Sequence, residues 1–198
     1  MASGFFAENQ LRFIDHPSRF MGLFSFFNRR PAPEEVFVQE STEPIELEID
    51  LGWFQLNGVS LGEMPSSVLP EKVINSPSGV FEPNGQGIEI GTEHGVFDHA
   101  FITVAEFTGI LLRNGRPLTL LPQMTERDIL TIFGEPYWTD RTEGETLLFY
   151  EYLLGQVELQ FEFPDAQGLG FVTLMRNGVL SEAEQRKSYG VTKSWPPV

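Results

Sequence analysis

The stretch TERDILTIFGEPYW, residues 125–138, specifies a short helix with both of its ends marked. Thr125 is placed to cap the N-terminus, with Asp128 three positions on to close a capping box. Ile129, Leu130 and Phe133 recur at the spacing of one buried helical face. Gly134 comes just after the last apolar residue and Pro136 cannot continue the helix, so the chain must leave it at "FGEP". The residues beyond Pro136 are strand-like, which makes this helix a brief passage between sheet segments.

Working outward, TLLFYEYLLGQVELQFEFP, residues 146–164, predicts a long hairpin turning near 154–156. Its second arm alternates Val157, Leu159, Phe161 and Phe163 with Glu158, Gln160 and Glu162, the period of a strand with one buried and one wet face. GLGFVTLMRNG, residues 168–178, predicts one more strand. Before the helix, GILLRNGRPLTLL places Asn114-Gly115 between apolar runs, a strong hairpin signal. The same order occurs earlier. PIELEIDLG puts Ile45, Leu47, Ile49 and Leu51 on one face and Glu46, Glu48 and Asp50 on the other. WFQLNGVSL then turns at Asn57-Gly58. A weak helix is expected at SSVLPEKV, interrupted by Pro70, and GIEIG and GVFDHAFITVAEF read as strands.

"LNG" at 56–58 aligns with "RNG" at 113–115, and "AFITV" at 100–104 with "GFVTL" at 170–174. The fold class expected is α+β: antiparallel sheet from two related hairpin–helix–meander repeats, with few short helices. The domains expected are a Phe-rich arm and linker over 1–33, a first repeat over 34–107, and a second repeat with C-terminal tail over 108–198.

Residues 125–136 with the strands to Met175, and more faintly 57–104, resemble the bacterial superfamily of the β-lactamase inhibitor protein and the small outer-membrane lipoproteins SmpA/OmlA. In that superfamily a short helix often runs through an "lGeP"-like turn into a three-stranded meander. The resemblance implies a binding protein without enzymatic activity, as in small uncharacterised bacterial proteins that look like immunity proteins. Two departures set this chain apart. It shows neither the signal peptide and cysteines of exported inhibitors nor the acylated cysteine of the lipoproteins.

Composition narrows the classes. The 198 residues can bury a core without staples, and with no cysteine there are no disulfides, thiolate metal sites or cysteine nucleophiles. A net charge of −15 argues against a nucleic-acid partner and suits either solubility or steering toward a basic protein. No apolar run approaches the ~20 residues of a spanning helix. The first 30 residues hold seven of the 18 Phe and are slightly basic (Arg12, Arg19, Arg29 and Arg30 against Glu8 and Asp15), which allows peripheral membrane contact. Their charges come too early for a secretory leader, and Met21 offers a second candidate start. A cytoplasmic location is expected.

Motifs for chemistry are weak. GVSLG, residues 58–62, matches G-x-S-x-G with Asp98 and His99 downstream, but Ser60 comes after a hairpin turn where a nucleophile elbow needs a strand-to-helix turn over a parallel sheet. Adjacent Asp98 and His99 are expected on opposite sides of a strand. Glu93, His94, Asp98 and His99 are too spread along a strand to ligate one ion. GQGIEIG lacks the spacing of a phosphate cradle. Glu143 and Glu145 flank Gly144 in an expected acidic turn. No catalytic residue, metal or cofactor is expected. The candidate contact residues are the aromatics Trp53, Tyr137, Trp138, Tyr150 and Tyr152 with Glu143 and Glu145, presented to another protein. The function expected is a non-catalytic inhibitor or immunity protein. The alternative is a structural or envelope-associated accessory protein.

Overall fold

The computed structural model describes residues 36–38, 45–142, 144–164 and 168–197. The chain divides into two units, residues 1–33 and 34–198, and everything described belongs to the second. The Phe-rich arm and Glu143 lie outside the described residues.

In chain order the elements are β1 (Val36–Val38), β2 (Glu48–Asp50), β3 (Gln55–Leu56), β4 (Val59–Ser60), α1 (Glu71–Ile74), β5 (Ser78–Phe81), β6 (Ile88–Glu93), β7 (Val96–Thr103), β8 (Ile110–Arg113) and β9 (Arg116–Pro117). Then come α2 (Glu126–Phe133), β10 (Trp138–Thr142), β11 (Glu145–Tyr152), β12 (Val157–Phe163), β13 (Phe171–Arg176) and α3 (Ala183–Ser188). The fold is sheet-rich with few short helices. Its strands form two sheets: a large one in the order β1-β5-β6-β7-β13-β12-β11-β10 and a small one in the order β4-β3-β2-β8-β9. Pairing is antiparallel, as expected, except at β1–β5 and β2–β8, which run parallel.

Local signals are realised where they were strongest. Asn57-Gly58 and Asn114-Gly115 both adopt left-handed φ, 47° and 80° in the first pair and 53° and 71° in the second, as a two-residue hairpin turn requires. Helix α2 begins after Thr125, whose backbone N–H donates to the Asp128 carboxylate at 2.8 Å. It ends at Gly134 (φ 83°), whose N–H donates to Leu130 O. The Tyr150 hydroxyl then donates to Gly134 O at 2.8 Å, so the "FGEP" bend is fastened to the sheet it re-enters. Pro70, expected to interrupt a helix, instead precedes one: α1 starts at Glu71, because proline's missing N–H and fixed φ cost nothing at a helix start. The second arm of the Asn114-Gly115 hairpin stops at Pro117, so residues 118–121 are not strand.

One face of the large sheet packs on the small sheet and α2. Ile49, Leu56 and Leu111 share a core with Ile90, Ile102, Leu148, Leu159, Phe161 and Leu174. Phe133 of α2 sits against Phe161 and Tyr150, with centroids 4.7 and 5.9 Å away. On β12, Val157, Leu159, Phe161 and Phe163 take the inner face as their alternation predicted. The outer face departs from expectation: Glu158, Gln160 and Glu162 are buried as well, so all seven residues of β12 are removed from water. They lie beneath a C-terminal strap, residues 178–197, whose Tyr189 packs edge-on against Phe149 of β11 with ring centroids 5.1 Å apart.

Candidate functional site

The aromatic side chains divide into three groups. Tyr150 is 4% exposed and belongs to the core, which removes it from the expected contact surface. Trp138 is half-buried and donates its indole N–H to Tyr189 O at 3.1 Å, so the strap covers it. The third group lies at one end, or pole, of the unit formed by residues 34–198. There Phe54 packs on Tyr152 with centroids 5.1 Å apart, and Trp53, 56% exposed, lies with its indole on Gly115. Between β11 and β12 the turn projects Leu153 and Leu154, 61% and 66% exposed. Trp195 of the strap rests on Gly155 of the same turn, and Tyr137 meets Trp195 edge-on at 5.8 Å. Tyr152 therefore meets the Trp53-Phe54 segment and Tyr137 meets the strap, while Glu145 stands at the far end of the eight-residue strand β11, roughly 23 Å from Tyr152 at about 3.3 Å per residue. Cations border the pole: Arg116 beside Gly115, Arg113 with its guanidinium 4.8 Å from the Phe133 ring, Arg186 at 4.7 Å from the Trp195 ring, and Lys193 at 5.6 Å from the Tyr137 ring.

A single carboxylate organises the small-sheet side of this pole. Asp50, expected on the wet face of its strand, is 3% exposed. Its Oδ1 accepts N–H from Gly52 (2.8 Å), Trp53 (2.9 Å) and Asn114 (2.9 Å), and its Oδ2 accepts from Gly115 (2.6 Å). Burial pushes the Asp50 pKa up, but the four backbone N–H groups outweigh it and hold the carboxyl below its usual range.

The turn itself was expected near 154–156, but nothing in "YLLGQ" marks its leucines as exposed. Its backbone is unusual too. Leu153 and Leu154 both have positive φ, 50° and 58°, where non-glycine residues are scarce and the cost is about 1–2 kcal/mol each. Asn-Gly, used in the β3–β4 and β8–β9 hairpins, would fit with less strain. Two leucines are thus held where solvent exposure and backbone geometry both oppose them.

Residues considered for chemistry are engaged elsewhere. A bulge in the β6–β7 pairing leaves Asp98 without a partner between Thr92↔Phe97 and Gly91↔His99, so Asp98 and His99 face the same side, contrary to expectation. His99 Nδ1 lies 3.2 Å from Asp98 and Nε2 3.8 Å from Glu89, and Arg176 reaches both Asp98 (3.4 Å) and Glu93 (3.5 Å). Burial lowers the His99 pKa, but the two carboxylates override it and push it up to about 9. Both ring nitrogens face acids, so this imidazolium has no free nitrogen with which to act as a base. Its contribution to stability is present below the unperturbed 6.5 and is lost as pH rises through about 9. The ring occupies the space over Gly91, where any side chain would collide with it. Gly91→Ala is expected to destabilise by about 1–3 kcal/mol in urea titration, as overpacking does.

Ser60 sits in β4, with its N–H donating to Glu63 at 3.1 Å, and no helix starts between it and Glu71, so no nucleophile elbow is formed. His94 occupies the β6–β7 turn. Among the described residues no three His, Cys, Asp or Glu side chains are placed to hold a metal ion. An apolar groove beside β8, lined by Ile102, Phe107, Ile110 and Leu118, presents no titratable side chain. No helix among the described residues is long and apolar enough to cross a membrane. Comparison with known proteins finds no matching family, no matching curated protein and no matching solved structure.

Proposed function

We propose that this chain is a non-catalytic protein-binding module whose contact surface is the pole formed by Trp53, Tyr152, Leu153, Leu154 and Trp195. The observation that carries the reading is the exposed, left-handed Leu153-Leu154 pair on the tip of the longest hairpin. Exposed apolar side chains in a strained turn lower stability, and such features persist where a partner uses them. Two neighbours hold the tip in place: Phe54 on Tyr152 and Trp195 on Gly155. A rigid apolar anchor loses little entropy on binding. The arginines at its border favour a partner surface with acidic groups around an apolar pocket. The excess of acids elsewhere steers by charge at longer range.

The finer reading is an inhibitor or immunity protein for a bacterial toxin or enzyme, built from two related halves. Its support is the order hairpin, helix, meander, which occurs as β3–β4, α1, β5–β7 and again as β8–β9, α2, β10–β13. The closing strands β7 and β13 are neighbours, with Ile102 opposite Val172 and Phe101 stacked on Phe171 at 5.3 Å. A local twofold axis between the aligned segments 100–104 and 170–174 would produce that arrangement. The alternative, an envelope accessory role through residues 1–30, draws on residues outside those described.

The test replaces the strained pair with the turn residues used elsewhere in the chain. Leu153→Asn with Leu154→Gly is expected to stabilise the protein by about 1–2 kcal/mol, because both new residues accept left-handed backbone. The same change is expected to weaken partner binding by about 100-fold, on the scale of a lost hot spot. A photo-crosslinker at Leu154 should capture one protein in cells that make this chain, and one at exposed Thr119 should not. Equal capture at both positions, or unchanged binding by the Asn-Gly variant, overturns the assignment.

A further inference from the structure

The strap lies over a polar face that strand alternation assigns to water. Glu151 and Glu158 stand directly opposite each other on β11 and β12, and Glu162 lies beyond Glu158 on the same face. Glu158 accepts N–H from Val179 (3.0 Å) and Leu180 (2.8 Å) at the start of the strap. Among the described residues no donor reaches either carboxyl oxygen of Glu151 or the Oε2 of Glu162, and all three atoms are buried. A buried carboxylate without donors is strongly disfavoured, whereas a carboxylic acid needs only an acceptor. A protonated Glu151 finds that acceptor in Glu158.

The rest of the strap is lightly held. Leu180 is its buried apolar residue, and α3 buries none. Beyond α3, Tyr189 and Trp195 rest on ring contacts and on donors from the sheet, with the Tyr137 hydroxyl donating to Lys193 O (3.2 Å) and Ser194 O (3.1 Å). Segments with this balance occupy the low-stability end of a fold.

We propose that residues 178–197 are a proton-operated latch, closed over Glu151, Glu158 and Glu162 while Glu151 and Glu162 are protonated and lifted when they ionise. Closure seats Trp195 on Gly155, so the latch regulates the contact pole, and in that respect it rests on the reading of the pole given above. The groups facing Glu151 are Glu158 from β12, Arg186 from the strap and Tyr137 ahead of β10. Those around Glu162 are Glu145 from β11 and Tyr189 from the strap, and the Tyr189 hydroxyl also feels Asp140. Two cations of the strap stand near the set, Arg186 and Lys193, the latter with its ammonium 5.6 Å from the Tyr137 ring. The Arg186 Nη1 already donates to Leu180 O (2.7 Å) and Ser181 O (2.8 Å), within the strap.

Burial, then Glu158, pushes the Glu151 pKa up, and burial, then Glu145, raises Glu162 to about 7. Both folded values lie above the ordinary 4.5, so closure is fully supported below that pH. That support drains as pH rises, through about 7 for Glu162 and higher for Glu151.

The test uses the full chain labelled with 5-fluorotryptophan, whose three tryptophans give three fluorine resonances, with Trp195 assigned by Trp195→Phe. Between about pH 6 and about pH 11 the Trp195 resonance is expected to move toward its solvent-exposed position while Trp53 stays in place. Tryptic cleavage after Arg186 and Lys187 should accelerate about tenfold relative to a free peptide of the same sequence. Glu151→Gln with Glu162→Gln should abolish both changes. A stationary Trp195 resonance in the wild-type chain overturns the proposal, as does an unchanged titration in the Gln variant. The wild-type titration decides alone if that variant does not fold. No partner enters either readout, so failure here leaves the pole assignment standing.

Discussion

Asp50→Ala is expected to lower stability by about 3 kcal/mol or more, read as a fall of about 10 °C in Tm. Four backbone N–H groups converge on this one carboxylate. Removing it leaves them without their acceptor in a place where the residue itself is 3% exposed, and each buried orphan donor costs about 1–3 kcal/mol. The damage is also topological. Asp50 ends β2, Asn114-Gly115 turns the β8–β9 hairpin, and β2 and β8 form one of the two parallel pairs among the described strands. Parallel neighbours cannot be joined by a tight turn, so their register depends on side-chain ties such as this one. Asp50→Asn is a graded control. Its amide oxygen can still serve Gly52, Trp53 and Asn114, but its NH2 would face Gly115 N–H, donor against donor. The pH dependence separates the two changes. The folded pKa is depressed, so the Asp50 contribution is present above the usual carboxylate range and is lost as pH falls through the lowered value. The Asn variant lacks that acid limb. Asp50→Ala should also free Trp53 and weaken binding at the pole.

What could be read from the sequence was local. Thr125, Asp128, Gly134 and Pro136 bound α2 through contacts within a few residues, and the two Asn-Gly turns need only their own φ angles. The alternation of β12 located its inner face correctly. Its outer face was misread because period-2 patterning reports which residues share a side and carries nothing about what covers that side. Glu158 resembles any solvent-facing glutamate until residues 179 and 180, some twenty positions later, donate to it. Asp50 was misplaced for the same reason, its partners lying 64 and 65 residues away. The bulge that turns Asp98 toward His99 adds one residue to a strand and leaves the composition unchanged. Trp53, Tyr137 and Tyr152 were conspicuous in the sequence as aromatic rings. The leucines between them were not, since their strain resides in the backbone.

Glu158→Ala is expected to release the strap at neutral pH and to cost about 2–5 kcal/mol. Val179 and Leu180 would lose their acceptor, and Leu180 is fully buried. The Glu158 carboxyl also fills the space against Gly178, where an added side chain would collide with it, so a cavity opens at the first residue of the strap. Glu151 loses the acceptor for its proton in the same step. The outcome therefore depends on Glu151, and a double-mutant cycle measures that dependence. In the Glu151→Gln background the remaining amide still seeks an acceptor across the strand pair, so Glu158→Ala should again free the strap. The reverse order differs: Glu151→Gln alone should stabilise the protein at pH 8, because it replaces a carboxyl held in its protonated form against bulk ionisation with a group that is always neutral. Urea titrations at about pH 5 and pH 8 carry the sign. Wild type should lose stability between them, Glu151→Gln should lose less, and a variant that behaves as wild type at both values would show that the Glu151 proton takes no part in seating the strap.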